Sequence, residues 1–141
     1  LLAAGVPQDW STHLIGHELT ALHGIDHART LAGVWPGLVR VQREAKRDKL
    51  LQFAERVWAL TDGSEESRLD QAIARTCGFF ESVGVPAGLK SYVLPEETPA
   101  LVARRLEERG GLPLGERKDI DAQAIDKADE EQENNAPQQG E

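Results

Sequence analysis

The sequence contains no methionine and a single cysteine, Cys77, among its 141 residues. One cysteine excludes an internal disulfide and is typical of proteins from a reducing compartment. No apolar run approaches the roughly 18 residues that a transmembrane helix needs, and no basic-then-apolar signal sequence opens the chain. We therefore expect a cytoplasmic protein with no membrane partner. The missing methionine and the opening LLAAGV, which is typical of the last turn of a helix ended by Gly5, lead us to expect a piece of a longer protein.

Basic residues are scarce, especially near the end of the chain. The formal charge is −8, and positions 116–141 hold three Lys/Arg against nine Asp/Glu. Phosphate binding needs a concentrated basic face, so we expect no nucleic-acid partner. The closing sequence ADEEQENNAPQQGE also has almost nothing to bury. We predict one helical, metal-binding domain over residues 1–120 and an acidic, disordered tail over residues 121–141.

Apolar residues recur at helical spacing, and no stretch sustains the alternation of a strand. The pattern predicts an all-α fold, a bundle of five to seven helices. Gly24 is a stop signal for the first helix, and Pro36 is expected to end or kink the second. Start and stop signals place helices at 10–23, 26–36, 48–60, 65–83, from 98 to the glycines at 110–111 and, weakly, at 121–129.

Several conspicuous side chains have ordinary structural interpretations. We expect the tryptophans Trp10, Trp35 and Trp58 to lie in the core, and Cys77 to be a small buried residue in an apolar helix. The charged run over 40–49 is interpreted as a solvated helix face, with a phosphate contact as the minor alternative.

All four histidines fall within the fifteen residues HLIGHELTALHGIDH, at His13, His17, His23 and His27. His13 and His17 are four residues apart, as are His23 and His27, and this spacing puts two side chains on one face of a helix. Neutral imidazole is the commonest metal ligand in proteins. A metal site is therefore the first hypothesis for this segment.

Geometry decides which histidines can act together. On one straight helix His13 and His27 would lie about 21 Å apart, too far to share a metal whose bonds to nitrogen are about 2.1 Å. A chain reversal at Gly24 would let His27 open the second helix and return toward the first. A joint site therefore requires the break at Gly24.

Other interpretations of the same segment remain open. The motif HExxH of zinc proteases fails here, because Ala21 stands where the second histidine should be. A histidine pair on a helix is often only solvated or hydrogen-bonded. Glu18 and Asp26 could hold imidazoles in one tautomer, although Asp26 could equally be a helix cap. Composition and spacing alone lead to a possible metal site on a helical domain.

The passage DWSTHLIGHELTALHGIDHARTLAGVWPGL resembles the iron-containing alcohol dehydrogenase family, and most of all its butanol dehydrogenase-type, NADPH-dependent aldehyde reductases. The resemblance continues through AKRDKLLQFAERVWALTDG, GFFESVGVP and GLPLGERKDID, and so covers about residues 1–120. It implies the C-terminal helical domain of a dehydroquinate synthase-like fold, without the N-terminal Rossmann-like domain. That absent domain would bind most of the NADP(H) or NAD(H).

The resemblance also implies a set of site residues. The family binds a divalent metal, Fe²⁺ or Zn²⁺, through one aspartate and three histidines, and the last two histidines match His13 and His27. The other ligands would lie upstream of Leu1. His17 matches a histidine that lines the cleft and has a catalytic role toward substrate or a proton, whereas His23 matches no ligand and is expected to be structural or cleft-lining.

These expectations define a main hypothesis and two rivals. The main hypothesis is the metal-ligand domain of an NAD(P)H-dependent alcohol dehydrogenase, acting on a small alcohol or aldehyde, inactive alone and a homodimer at full length. The first rival is a stand-alone helical module that binds a metal or partner without catalysis. The second is a zinc hydrolase of unknown type, which Ala21 disfavours.

Overall fold

Six α-helices and a short 3₁₀ helix make up the fold in the computed structural model, which describes the backbone of residues 8–134 and the side chains of residues 8–129. The described residues form no strand, only an isolated antiparallel bridge between Leu114 and Ile120. The predicted all-α class is therefore confirmed. The helices are α1 (Ser11–His23), α2 (His27–Val41), α3 (Arg47–Trp58), α4 (Glu65–Ser82), the 3₁₀ helix Leu89–Ser91, α5 (Thr98–Glu108) and α6 (Ala122–Asn134).

The break between α1 and α2 occurs at Gly24. Its φ of 68° is left-handed, a conformation that only glycine adopts without strain, and its N–H donates to the carbonyl of Thr20 at 2.9 Å. α2 then begins at His27 and packs back against α1. The predicted reversal is present in the structure.

Pro36 does not end α2, which was one of the two effects that we expected of it. The helix continues to Val41 with Pro36 buried inside it. Proline has no N–H, so it leaves the carbonyl four residues earlier, that of Ala32, without its helical donor. The Gly88 N–H donates to this carbonyl at 3.3 Å. A loop distant in sequence thus satisfies the acceptor that Pro36 leaves open.

The main core lies where α1, α2, α5 and α6 meet. Because helix side chains three and four residues apart share a face, each helix contributes a buried stripe. The buried members are Ile15, Leu19, Val34, Leu38, Val102, Ala103, Leu106, Leu114, Ile120, Ala124, Ile125 and Ala128. A second, small cluster of Ala54, Leu60 and Ala72 joins α3 to α4.

The acidic end of the chain also differs from our expectation. Residues 122–134 form α6, and its Ala124, Ile125 and Ala128 side chains are buried in the main core. The composition of the segment hides this, because three apolar positions at helical spacing suffice to pack one face. The helix agrees with the weak helix predicted for 121–129 and corrects the disorder predicted for the tail as far as residue 134; residues 135–141 lie outside the described part of the chain.

Some of the predicted core aromatics are exposed. Trp10 is 51% exposed, so its assignment to the core was wrong. Trp35 and Trp58 are half-buried, and Trp58 donates from Nε1 to Thr76 Oγ1 at 3.1 Å. Cys77 is half-buried, and desolvation raises the pKa of its thiol.

Residues of the charged run over 40–49 are in part exposed to solvent, and two of them form ion pairs with α4. Arg43 pairs with Glu66 and Asp70 on α4, at 2.7 and 2.6 Å, and Arg47 pairs with Glu65 at 3.1 Å. These pairs join the start of α3 and the segment before it to α4. No helix among the described residues has the length and apolar character to cross a lipid bilayer.

Candidate metal centre

Three of the four histidines converge at the α1–α2 hairpin. His13 and His17 are one turn apart on α1, and His27 is the first residue of α2. The ring centroids of these three histidines are 4.4, 4.6 and 4.7 Å apart. Each ring offers a nitrogen that lies within 4.8 Å of the other two. We call this group the histidine triad.

His13 and His27 make the closest contact in the triad. Their Nε2 atoms are 3.2 Å apart. Two nitrogens on one tetrahedral metal, with bonds of 2.0–2.1 Å, would be separated by about 3.3 Å. The spacing across the hairpin therefore suits a shared cation as well as a hydrogen bond. The donor set of neutral imidazoles fits a borderline divalent metal.

Electrostatics in the triad favour the neutral, ligating form of His27. Desolvation lowers the pKa of His27, and the neighbouring His13 and His17 lower it further. A positive charge on His27 would be repelled by a positive charge on either neighbouring ring. Its Nδ1 is buried and has no hydrogen-bond partner among the described residues. The shift favours the neutral imidazole of His27, which is the form that binds a metal.

Close packing of the two helices brings the triad together. A Cβ on Gly16 would lie 2.8 Å from Thr30 Oγ1, so only glycine permits this approach. Thr30 is fully buried and donates from Oγ1 to the carbonyl of His27 at 2.7 Å. The Gly16–Thr30 contact thus sets the distance between the helix that carries His13 and the residue that begins α2.

His23 lies outside the triad. Its Nε2 is 3.2 Å from Thr98 Oγ1, so it joins the end of α1 to the start of α5. The expected role of His23, structural or cleft-lining, stays a prediction.

The proposed supporting role of Glu18 and Asp26 is not what the structure shows. Glu18 is buried, and its carboxylate accepts from Arg105 Nε at 2.6 Å and from Arg109. The side chain of Asp26 is 85% exposed and lies 3.8 Å from Arg29. Neither acid contacts the triad in the described part of the chain. Sequence reasoning missed the Glu18 pairing because its partners lie 87 and 91 residues away.

Trp10 is a neighbour of the triad that sequence reasoning assigned to the core. Its ring meets His13 edge-on, with centroids 5.2 Å apart. It also borders an open apolar concavity of about 830 Å³ that reaches from His13 to Trp35 and Phe80. The signal in the sequence was the spacing of three residues between Trp10 and His13, which puts them on one face.

The geometry can be set beside known proteins. A profile described as "Fe-containing alcohol dehydrogenase family, C-terminal" matches residues 2–118. The chain belongs to this family. It is 55% identical over 120 residues to the NADPH-dependent aldehyde reductase YqhD of Escherichia coli K12, a match that covers 85% of this chain and 31% of that protein. It is 35% identical over 120 residues to NADP-dependent alcohol dehydrogenase 3 of Entamoeba histolytica, with 85% and 29% covered.

Solved structures agree on the fold. The substrate- and cofactor-free form of E. coli aldehyde reductase YqhD superposes with a TM-score of 0.86 at 51% identity, covering 91% of this chain and 34% of that one. NADH-dependent butanol dehydrogenase A from Thermotoga maritima superposes with a TM-score of 0.76 at 22% identity, covering 86% and 32%, which shows the shared fold. The predicted family and its C-terminal helical domain are confirmed. The chain spans about a third of the length of these relatives.

Proposed function

We propose that this chain is the metal-ligand domain of an NAD(P)H-dependent alcohol dehydrogenase or aldehyde reductase, in which His13 and His27 bind the catalytic divalent metal. The observation that carries the proposal is the 3.2 Å separation of their Nε2 atoms across the hairpin. The names of the relatives, aldehyde reductase and butanol dehydrogenase, supply the substrate class: a small alcohol or aldehyde.

The bound metal, Fe²⁺ or Zn²⁺, would supply Lewis-acid polarisation of a carbonyl oxygen. The residues of this chain supply position. His13 and His27 would hold the metal at the hairpin. The exposed His17 beside them would orient substrate or hold a proton for the oxygen. The apolar concavity beside His13 offers room for the carbon chain of a substrate.

The remaining parts of the proposal concern the whole protein. The nicotinamide cofactor, NADP(H) or NAD(H), would be bound mainly by a Rossmann-like domain, because these 141 residues contain no Gly-rich strand–turn–helix phosphate site. We propose that the chain alone does not turn over, and that the full-length enzyme is a cytoplasmic homodimer.

A domain exchange tests this function directly. Residues 1–120 would replace the matching segment of E. coli aldehyde reductase YqhD, to which they are 55% identical. The chimera should contain one divalent metal per subunit and reduce aldehydes with NADPH. His13→Ala and His27→Ala should each abolish both properties, since one ligand of the pair is lost.

The matched control is His23→Ala, because His23 contacts Thr98 and not the triad. It should keep metal and activity. A folded chimera that binds NADPH, yet is indifferent to His13→Ala and His27→Ala, would exclude the proposal. That result would favour the helical binding module without catalysis.

A further inference from the structure

We propose that the cavity between α1, α2, α5 and α6 binds a small neutral molecule, with an apolar body about the size of a bicyclic ring and one group that forms a hydrogen bond with the Tyr92 hydroxyl. The cavity has a volume of about 270 Å³. None of the side chains that line it also lines the concavity beside His13. It would therefore be a second ligand site, separate from the metal hairpin.

The cavity lies on the side of α1 that faces away from the histidine triad. Its wall on α1 is formed by Ile15 and Leu19, and each follows a triad histidine by two residues, which is about 200° around a helix. Val34 of α2, Val102 of α5 and Ile125 of α6 form the other apolar walls. All five side chains are buried. The site is thus built from the main core.

The size and the walls of the cavity determine the body of the ligand. Apolar cavities in proteins take up small apolar molecules, and one of roughly 150 Å³ binds benzene. At about 270 Å³, this cavity has room for a molecule larger than benzene, such as a bicyclic ring. Removal of that body from water would provide most of the binding free energy, through the hydrophobic effect.

The Tyr92 hydroxyl is the polar group that a buried ligand can engage. Tyr92 lines the cavity, and its Oη is buried without a hydrogen-bond partner among the described residues. The Oγ1 of Thr98, which also lines the cavity, is already 3.2 Å from His23 Nε2. Desolvation raises the pKa of Tyr92, so the phenol stays protonated and can donate or accept. A buried polar atom without a partner is costly, so a ligand that reaches Oη gains affinity.

The charged side chains of the cavity lining favour a neutral ligand. They are one base and two acids: Lys90, Glu96 and Asp129. Lys90 and Glu96 are exposed, whereas the apolar walls are buried, so these two side chains mark the mouth. A carboxylate would have to lose its hydration among the apolar walls beyond this mouth, at a cost that a neutral N–H, hydroxyl or carbonyl group largely avoids.

The experiment is a titration of the 141-residue chain with indole and with indene, bicyclic molecules of nearly equal size of which only indole has an N–H. Binding would be followed by the methyl signals in NMR spectra. Those of Ile15 and Ile125 should shift, and that of Ile73, on α4 and outside the cavity, should not. Indole should bind several-fold more tightly than indene. Tyr92→Phe should weaken indole binding by about threefold to tenfold and leave indene unaffected.

Cavity-filling variants test the location independently. In Ala128→Phe the added ring would occupy the cavity from α6, so indole binding should fall at least tenfold. Leu94→Trp fills it from the loop before α5 and should have the same effect, which provides a second test if circular dichroism shows that Ala128→Phe is unfolded. The matched control is Ala74→Phe at an exposed position of α4, which should bind indole like the unaltered chain.

Two results would overturn the proposal. If indole shifts neither Ile15 nor Ile125, or binds the folded cavity-filling variants as tightly as the unaltered chain, the cavity is not the site. If indene binds as tightly as indole and Tyr92→Phe changes neither affinity, the hydrogen bond to Tyr92 is excluded. The metal role of the hairpin is tested separately, by the domain exchange.

Discussion

Asp9 shows how one carboxylate ties the start of the functional helix to the rest of the fold. It accepts from the N–H of Ser11 at 2.8 Å and from Lys46 Nζ at 2.6 Å, which links α1 to the segment before α3. Burial alone would raise the pKa of Asp9, but the hydrogen bonds from Lys46 and Ser11 outweigh it, and the pKa is lowered from 3.8. The ionised form is therefore the form that the fold stabilises.

Asp9→Asn should lower the free energy of unfolding at pH 7 by about 1 kcal/mol, because it removes charge-assisted hydrogen bonds. A pKa that is lower in the folded state contributes stability above about pH 4 and loses it as the pH falls through the folded value. The difference between Asp9→Asn and the unaltered chain should therefore shrink on acidification. Urea denaturation across the pH range measures it, with exposed Asp62→Asn as the control. A difference that grew toward low pH would contradict this account.

At the scale of elements, the α1–α2 hairpin is what assembles the candidate site. Gly24 provides the reversal and Gly16 the close approach, so two glycines determine where three histidines meet. The site is therefore sensitive to changes that touch none of its ligands.

Gly16→Ala should test that sensitivity. Its methyl group would lie 2.8 Å from Oγ1 of Thr30, which is buried and donates to the carbonyl of His27. Overpacking of this kind costs about 1–3 kcal/mol, and separation of the helices should weaken Zn²⁺ binding by widening the His13–His27 distance. Urea denaturation and calorimetry measure the two effects.

The control is Gly78→Ala on α4, where an added Cβ meets nothing within 4 Å. Alanine there should leave metal binding unchanged and raise stability by up to about 1 kcal/mol, through helix propensity. Equal behaviour of the two variants would refute the packing explanation.

For the whole molecule, the features predictable from sequence were the local ones. Periodicity and stop signals located the helices to within a few residues, and the glycine reversal located the histidine pair, because each depends on neighbours along the chain. The errors concern distant partners. No residue near Glu18 in sequence indicates that it pairs with Arg105 and Arg109. In α6, the many acidic residues obscure the apolar face that contains Ile125. The distances between the three histidines of the triad, by contrast, required both helices to be placed in space.

The sites that these 141 residues contain predict what the chain can do alone. Its candidate metal ligands lie together, while its sequence has no phosphate-binding loop for a nucleotide. With Zn²⁺, NADPH and an aldehyde present, the 141-residue chain should bind the metal yet consume no NADPH above the rate without protein. Loss of NADPH absorbance measures this. Turnover that depended on His13 would contradict the proposal that a second domain supplies the cofactor site.

Pro36 inside α2 affects the rate at which the amide hydrogen of Gly88, in a distant loop, exchanges with solvent. The Gly88 N–H donates to the Ala32 carbonyl that Pro36 leaves without a helical donor. In deuterated water the Gly88 amide should therefore exchange slowly, at a rate governed by the opening of α2. Pro36→Ala would give the carbonyl a competing donor within the helix. Exchange at Gly88 should then accelerate, while the amides of α1 keep their rates.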